Sequence, residues 1–249
     1  MCELFGFSAR KSAVIKDHLD TFFSHSEKHP HGWGLMYGGG IVKEPVKASK
    51  SELLPVILEE MPPQKNVLAH IRFATVGNIR EENCHPFTGR DISGREWTMI
   101  HNGTIYSGKD TYKYYKTQLG DTDSERVFLS FIDTMNNALC RVSLSEKERF
   151  HTVSRFISDN APRNKLNLML FDGELLYVHK NLKNTLSYKH TESGVMISTQ
   201  PLDSGAWTPF PIAQVIAFKN GREAYRGERH KGVFVPTLEY ITALDAMNI

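Results

Sequence analysis

The apolar positions of the chain fall into short runs that alternate between strand-like and helix-like spacing. Leu4, Phe5 and Phe7 open it as a buried strand. Val14, Ile15, Leu19, Phe22 and Phe23 recur with a helical period and predict a short helix over 12–23. A strand over 32–37 closes on Gly38-Gly39-Gly40, a hairpin turn leading into Ile41 and Val42. Ser51 caps a helix carrying Leu53, Leu54, Ile57 and Leu58, with Pro55 in its first turn, and Pro62-Pro63 ends it. Continuous apolar runs at 66–73 and 97–100 predict buried strands. Asp121-Thr122-Asp123-Ser124-Glu125 caps a helix with Val127, Phe128, Phe131 and Ile132 on its apolar face, and a second helix follows over about 145–157. The last third reads as strands at 166–171, 175–179, 195–198 and 212–219. Asp172-Gly173 and Asn220-Gly221 form its hairpin turns.

No composition break or low-complexity run divides the 249 residues, which predicts one α+β domain over 1–249 with several antiparallel hairpins. With 40% hydrophobic and 23% charged residues, the chain has the makings of a sizeable core. A net charge of +2 leaves no footprint for nucleic acid or for a membrane surface. Neither a secretory leader nor an apolar run of spanning length is present, so a cytoplasmic location is expected. The three cysteines, Cys2, Cys84 and Cys140, are too scattered for a disulfide framework, and Cys2 stays a thiol in a reducing compartment. His29-Pro30-His31 lies in a polar loop without the ligand spacing of a structural metal site. The triple glycine lacks the Gly-Lys-Ser/Thr that follows in a phosphate loop. Neither a metal nor a cofactor is expected.

The residue with the most chemical promise is Cys2. If Met1 is removed, Cys2 carries both a nucleophilic thiol and an α-amine of pKa near 8, a base on the same residue. Arg72 ends an apolar strand, where a guanidinium needs a fixed anionic partner, either a structural carboxylate or a ligand. Asn102-Gly103 by itself spells a type I′ hairpin turn, Asp123 by itself a helix N-cap, and His85 before Pro86 a loop histidine.

Taken in order, Cys2-Glu3-Leu4-Phe5-Gly6, Gly32-Trp33-Gly34, His70-Ile71-Arg72-Phe73-Ala74-Thr75-Val76-Gly77, His85-Pro86-Phe87, His101-Asn102-Gly103 and Asp121-Thr122-Asp123-Ser124-Glu125 resemble the class II glutamine amidotransferase domain in its standalone, YafJ-type form. These motifs cover the first half densely; in the second half only the stretch 195–202 echoes the family. The resemblance implies the N-terminal-nucleophile hydrolase fold, a four-layer α/β/β/α sandwich of two antiparallel sheets. It implies Cys2 as nucleophile, and Asn102 and Gly103 as the oxyanion hole through a side-chain amide and a backbone N–H. It further implies Arg72 as the clamp on a glutamine α-carboxylate, Asp123 as acceptor for its α-ammonium, and Thr75 and His85 lining the pocket. Family members with tight glutamine pockets often carry Trp where this chain has Phe73, so a looser pocket is expected. The implied reaction is cleavage of the side-chain amide of glutamine or a γ-glutamyl amide through a Cys2 thioester. The alternatives are a glutaminase subunit that delivers ammonia to a separate synthase, or a non-catalytic protein that binds a γ-glutamyl ligand.

Overall fold

A computed structural model describes residues 2–107, 109–238 and 241–242; Met1, on which the amino-terminal chemistry turns, lies outside them. The chain begins with β1 (Glu3–Ala13), α1 (Lys16–Ser24) and the hairpin of β2 (Trp33–Tyr37) and β3 (Gly40–Glu44). Then come α2 (Leu53–Glu60), β4 (Gln64–Ile71), β5 (Phe87–Arg90) and β6 (Glu96–Thr104). Two helices follow, α3 (Asp123–Leu139) and α4 (Glu146–Asn160). The remainder is β7 (Lys165–Phe171), β8 (Leu176–His179), β9 (Ser187–His190), β10 (Gly194–Ser198), β11 (Thr208–Pro209), β12 (Ile216–Lys219) and β13 (Arg222–Arg226).

These strands form a seven-stranded sheet, β11-β9-β10-β1-β4-β2-β3, and a six-stranded sheet, β13-β12-β8-β7-β6-β5, with every pairing antiparallel. Period-two alternation sends successive side chains of each central strand into different layers. Phe5 and Phe7 meet Leu19, Phe22, Leu54 and Ile57 of α1 and α2, while Leu4 meets Ile100, Met169 and Ile197 between the sheets. Leu166, Leu168 and Leu170 of β7 face Val127, Phe131, Phe150 and Val153 of α3 and α4. Both faces of the central strands are therefore buried, which is why they read as unbroken apolar runs. The result is the α/β/β/α sandwich. Among the described residues no helix is long and apolar enough to cross a membrane.

Several local expectations are corrected. β1 runs on through Ala13, and α1 starts only at Lys16; Val14, counted on its apolar face, is 74% exposed. The strand expected over 212–219 begins at Ile216. Asn102-Gly103 is no turn, for both residues lie inside β6 opposite Asn167 and Leu166. The N-cap of α3 is Thr122, whose hydroxyl accepts from Glu125 N at 3.2 Å; Asp123 is the first helical residue. The N-cap of α2 is Glu52, while Ser51 one residue earlier accepts from Leu54 N at 2.9 Å, and α4 opens on a capping box between Ser145 and Glu148. The Asn220-Gly221 turn has both residues at positive φ, as a type I′ hairpin requires.

Candidate active site

Five chain segments converge at one end of the sandwich, among them His85 just ahead of β5. Glu3 at the head of β1 lies opposite Ile71 at the tail of β4, so Cys2 and Arg72-Phe73 leave the sheet side by side. The tail of β6 and the first turn of α3 complete the circle. Cys2, Arg72, Phe73, Ala74, Thr75, Val76, His85, His101, Gly103 and the residues from Thr122 to Ser124 line a cleft of about 20 Å³. Of the seven residues singled out from the sequence, six border it; Asn102 stands behind Gly103, 2% exposed. A wider groove, about 470 Å³ and lined by Ser130, Thr134, Arg155 and Asp159, shares no residue with this cleft. It is wide but collects no nucleophile or buried polar cluster, and the small cleft does.

The Cys2 sulfur is held against the backbone of Phe73. It accepts from Phe73 N at 3.3 Å and lies 3.4 Å from Phe73 O. That backbone is fixed in turn by His31, whose Nδ1 accepts from Ala74 N at 2.9 Å. Arg72 is buried, and its guanidinium donates to three backbone carbonyls: Asn78 at 3.0 Å, Val76 at 3.0 Å and Gly77 at 3.2 Å. A carboxylate partner was one expectation from the sequence; among the described residues no ion pair to Arg72 is formed. Three of five N–H groups are thereby engaged, and two are left for another acceptor. Asp121 and Asn83 pin the 76–78 loop: Asp121 accepts from Asn78 N at 3.1 Å and Asn78 Nδ2 at 2.6 Å, and Asn83 Nδ2 donates to Asn78 O at 2.8 Å.

Gly103 shows why the backbone is bare here. Leu166 opposite it accepts from His179 Nδ1 through its carbonyl and donates to Asn181 Oδ1 at 2.8 Å, so both its polar groups turn away from β6. The Gly103 N–H therefore faces the other flank of β6, where β5 has already ended at its pairing with residues 96–99. A Cβ on Gly103 would lie 1.9 Å from Lys165 O and 2.1 Å from His101 Nε2, so no other residue fits. Gly34, from the Gly32-Trp33-Gly34 stretch, has a similar duty: a Cβ there would sit 1.9 Å from His85 O.

Asp123 is buried with its carboxylate turned into the site, Oδ2 accepting from Ile105 N at 2.7 Å and Oδ1 from Ser124 N at 2.9 Å. Remaining lone pairs can take a cationic donor. Beneath the cleft lies a group of buried histidines that the sequence reading left without a role, apart from His85. His70 Nε2 donates to His101 O at 3.2 Å; His101 Nε2 donates to Lys165 O at 3.2 Å, which leaves its Nδ1 to accept from the Ser124 hydroxyl at 2.9 Å. Burial pushes His70 down to about 3 and His101 down to about 4, the latter against the pull of Asp123. His85 stacks on His70 with ring centroids 4.1 Å apart, and neither of its ring nitrogens has a partner among the described residues. Burial and the neighbouring His70 hold it well below the ordinary histidine range. Among the described residues no group of three or more His, Cys, Asp or Glu could hold a metal ion.

Comparison with known proteins gives this arrangement a family. The family model described as class II glutamine amidotransferases matches residues 1–190. An uncharacterized protein of Methanocaldococcus jannaschii is 29% identical over 92% of this chain and 72% of its own length. In solved structures, the glutamine aminotransferase class-II domain protein of Silicibacter pomeroyi superposes with a TM-score of 0.62 at 17% identity, covering 92% of this chain and 99% of the other. Glutamine phosphoribosylpyrophosphate amidotransferase from B. subtilis superposes with a TM-score of 0.62 at 12% identity over 92% of this chain and 49% of its own. With 190 of 249 residues under the family model and a shared two-sheet architecture, the chain belongs to the class II glutamine amidotransferases.

Proposed function

We propose that the protein hydrolyses the side-chain amide of glutamine or of a larger γ-glutamyl amide, with Cys2 as nucleophile. The observation that carries this reading is the meeting of Cys2, Arg72, Asp123 and a ladder-free Gly103 N–H around one cleft. The α-carboxylate of the substrate takes the two remaining N–H groups of Arg72, and its α-ammonium donates to Asp123. A cleft of about 20 Å³ is too small for an amino acid, so binding requires its walls to part. The thiol attacks the γ-carbonyl and its proton passes to the α-amine of Cys2. The oxyanion is met by the Gly103 N–H and the Asn102 amide. The α-ammonium of Cys2 then hands that proton to the leaving nitrogen, ammonia or an amine departs, and water cleaves the γ-glutamyl thioester to glutamate and the free thiol.

The test compares protein that begins at Cys2 with protein that retains Met1, with Cys2→Ala as blank, on glutamine and γ-glutamyl-p-nitroanilide. Turnover by the Cys2 form alone, with ammonia released and no second protein present, is the expected result. Equal turnover by both forms overturns the amine as base. Binding of γ-glutamyl compounds without turnover by any form transfers the protein to the ligand-binding class. Ammonia release that appears only with an added synthase moves it to the glutaminase subunits.

A further inference from the structure

Lys165 heads β7 and is 2% exposed, an expensive place for an ammonium group. Its Nζ donates to Asn102 Oδ1 at 2.9 Å. Its own carbonyl accepts from His101 Nε2, and Gly103 lacks the Cβ that would push this carbonyl away. Backbone and side chain of one lysine thus touch three successive residues of β6, the two proposed oxyanion donors among them.

We propose that Lys165 is a positioning residue for the amide cleavage, holding the Asn102 carboxamide with its oxygen inward so that its NH₂ is presented to the oxyanion. This rests on the amidohydrolase reading given above and assigns how one arm of its oxyanion hole is set. The chemistry of the pair leaves one orientation. A lysine ammonium has donors and no acceptor, so whichever carboxamide atom faces it must be the oxygen. Turned the other way, Asn102 would set NH₂ against NH₃⁺ and aim its own oxygen at the developing negative charge. A hydrogen bond from a cation also polarises the amide, which makes its far N–H groups better donors. The charge reaches the nucleophile as well. Burial pushes Lys165 down to about 8, and the charge of Cys2 pulls it back up. The lysine is therefore close to losing its proton at rest and gains it more firmly when the thiolate or the oxyanion forms.

The decisive measurement is the kinetics of Lys165→Met, Asn102→Ala and the double variant on γ-glutamyl-p-nitroanilide, each checked for native folding by thermal unfolding. Lys165→Met should lower kcat about 10- to 100-fold with KM within about twofold, somewhat less than loss of the donor itself. In the Asn102→Ala background the same change should cost little, because the lysine acts through that side chain. The wild-type kcat/KM should fall on an alkaline limb near pH 8, where Lys165 loses its proton, and Lys165→Met should abolish this limb while the ascending limb of the Cys2 amine stays. Additive losses, an unchanged kcat, or an alkaline limb that persists in Lys165→Met overturns the proposal. Should Lys165→Met not fold, the ¹³Cε shift of Lys165 in the wild type decides: titration near 8 that matches the kinetic limb supports it, and titration near the free-lysine value of about 10.4 sinks it. Wild-type inactivity on every γ-glutamyl probe removes the amidohydrolase reading and this one together, whereas an active wild type with an equally active Lys165→Met removes only the lysine.

Discussion

Acid should unfold this protein earlier than its carboxylates alone would require. Free histidine takes up a proton near pH 6.5, whereas burial holds His70, His101 and His179 to about 3, 4 and 3. The tautomers show why each resists. His179 Nδ1 must donate to Leu166 O at 2.7 Å, so its Nε2 accepts the 2.9 Å bond from His230 Nε2, whose Nδ1 accepts from Gly232 N. A proton on His179 breaks that relay and leaves a charge with no water around it. Because the folded pKa values are depressed, stability is full above about pH 6.5 and drains as pH falls toward the folded values. At about pH 5 these three rings alone bind almost three protons in the unfolded chain that the folded chain refuses, each worth ~2 kcal/mol, or ~6 kcal/mol together, and His85, held well below its ordinary range, adds to the same side. That is comparable to a typical total stability of about 5–15 kcal/mol. His25, raised chiefly by its hydrogen bond to Glu3, gives stability that is fully present below about pH 6.5, so it adds no slope in this window. Asp121 and Glu146, both lowered, shed their contribution only below about pH 4. Urea unfolding, followed by the fluorescence of buried Trp33 and Trp97, should therefore show a loss of at least about 4 kcal/mol per pH unit between about pH 6 and 5, about 4 of it from these three rings. His179→Asn keeps a donor for Leu166 O and should remove about a third of that slope. A slope equivalent to less than about one proton would mean that these rings are hydrated or already charged in the native protein.

Two further outcomes test the site and its frame. Arg72→Lys should raise KM for glutamine by an order of magnitude or more and lower kcat much less, since one ammonium cannot serve both the 76–78 carbonyls and a carboxylate; steady-state kinetics read this directly. Ser145→Ala should cost about 1 kcal/mol by removing the hydroxyl that accepts from Glu148 N, the Ser145 N–H bond to the Glu148 carboxylate being kept, measured as a shift in urea midpoint with unchanged slope.

The elements legible in the sequence were those buried on two faces. Runs such as 66–73 and 97–100 announce themselves by composition, because each side chain enters a core. Strands with one wet face were harder to see: Ser187–His190 is polar throughout, and Arg222–Arg226 is mostly exposed, so neither shows apolar alternation. Phe87–Arg90 was hidden by Gly89, which reads as a turn but lies against Phe128, where a Cβ would stand 3.2 Å away. At the site, residue order singled out the groups that border the cleft and missed those that hold them. In the sequence Lys165 merely precedes the apolar run 166–171, and His70 and His101 stand inside motifs with nothing local that points to a role. Their roles depend on pairings between segments distant in the chain, such as Thr104 with Lys165, which no local pattern encodes. The reason for the buried arginine was likewise invisible, since its partners are backbone carbonyls and carry no residue type.

The place of β1 between β4 and β10 sets a schedule for biosynthesis. Ser8 pairs on one side with Asn66 and on the other with Val195, so the amino-terminal strand has a free flank until most of the chain has been made. At about 5–20 residues per second, a ribosome takes on the order of ten to forty seconds to lay down that separation. Closure of the sheet on both flanks of the strand that follows Cys2 thus waits for residues near 195.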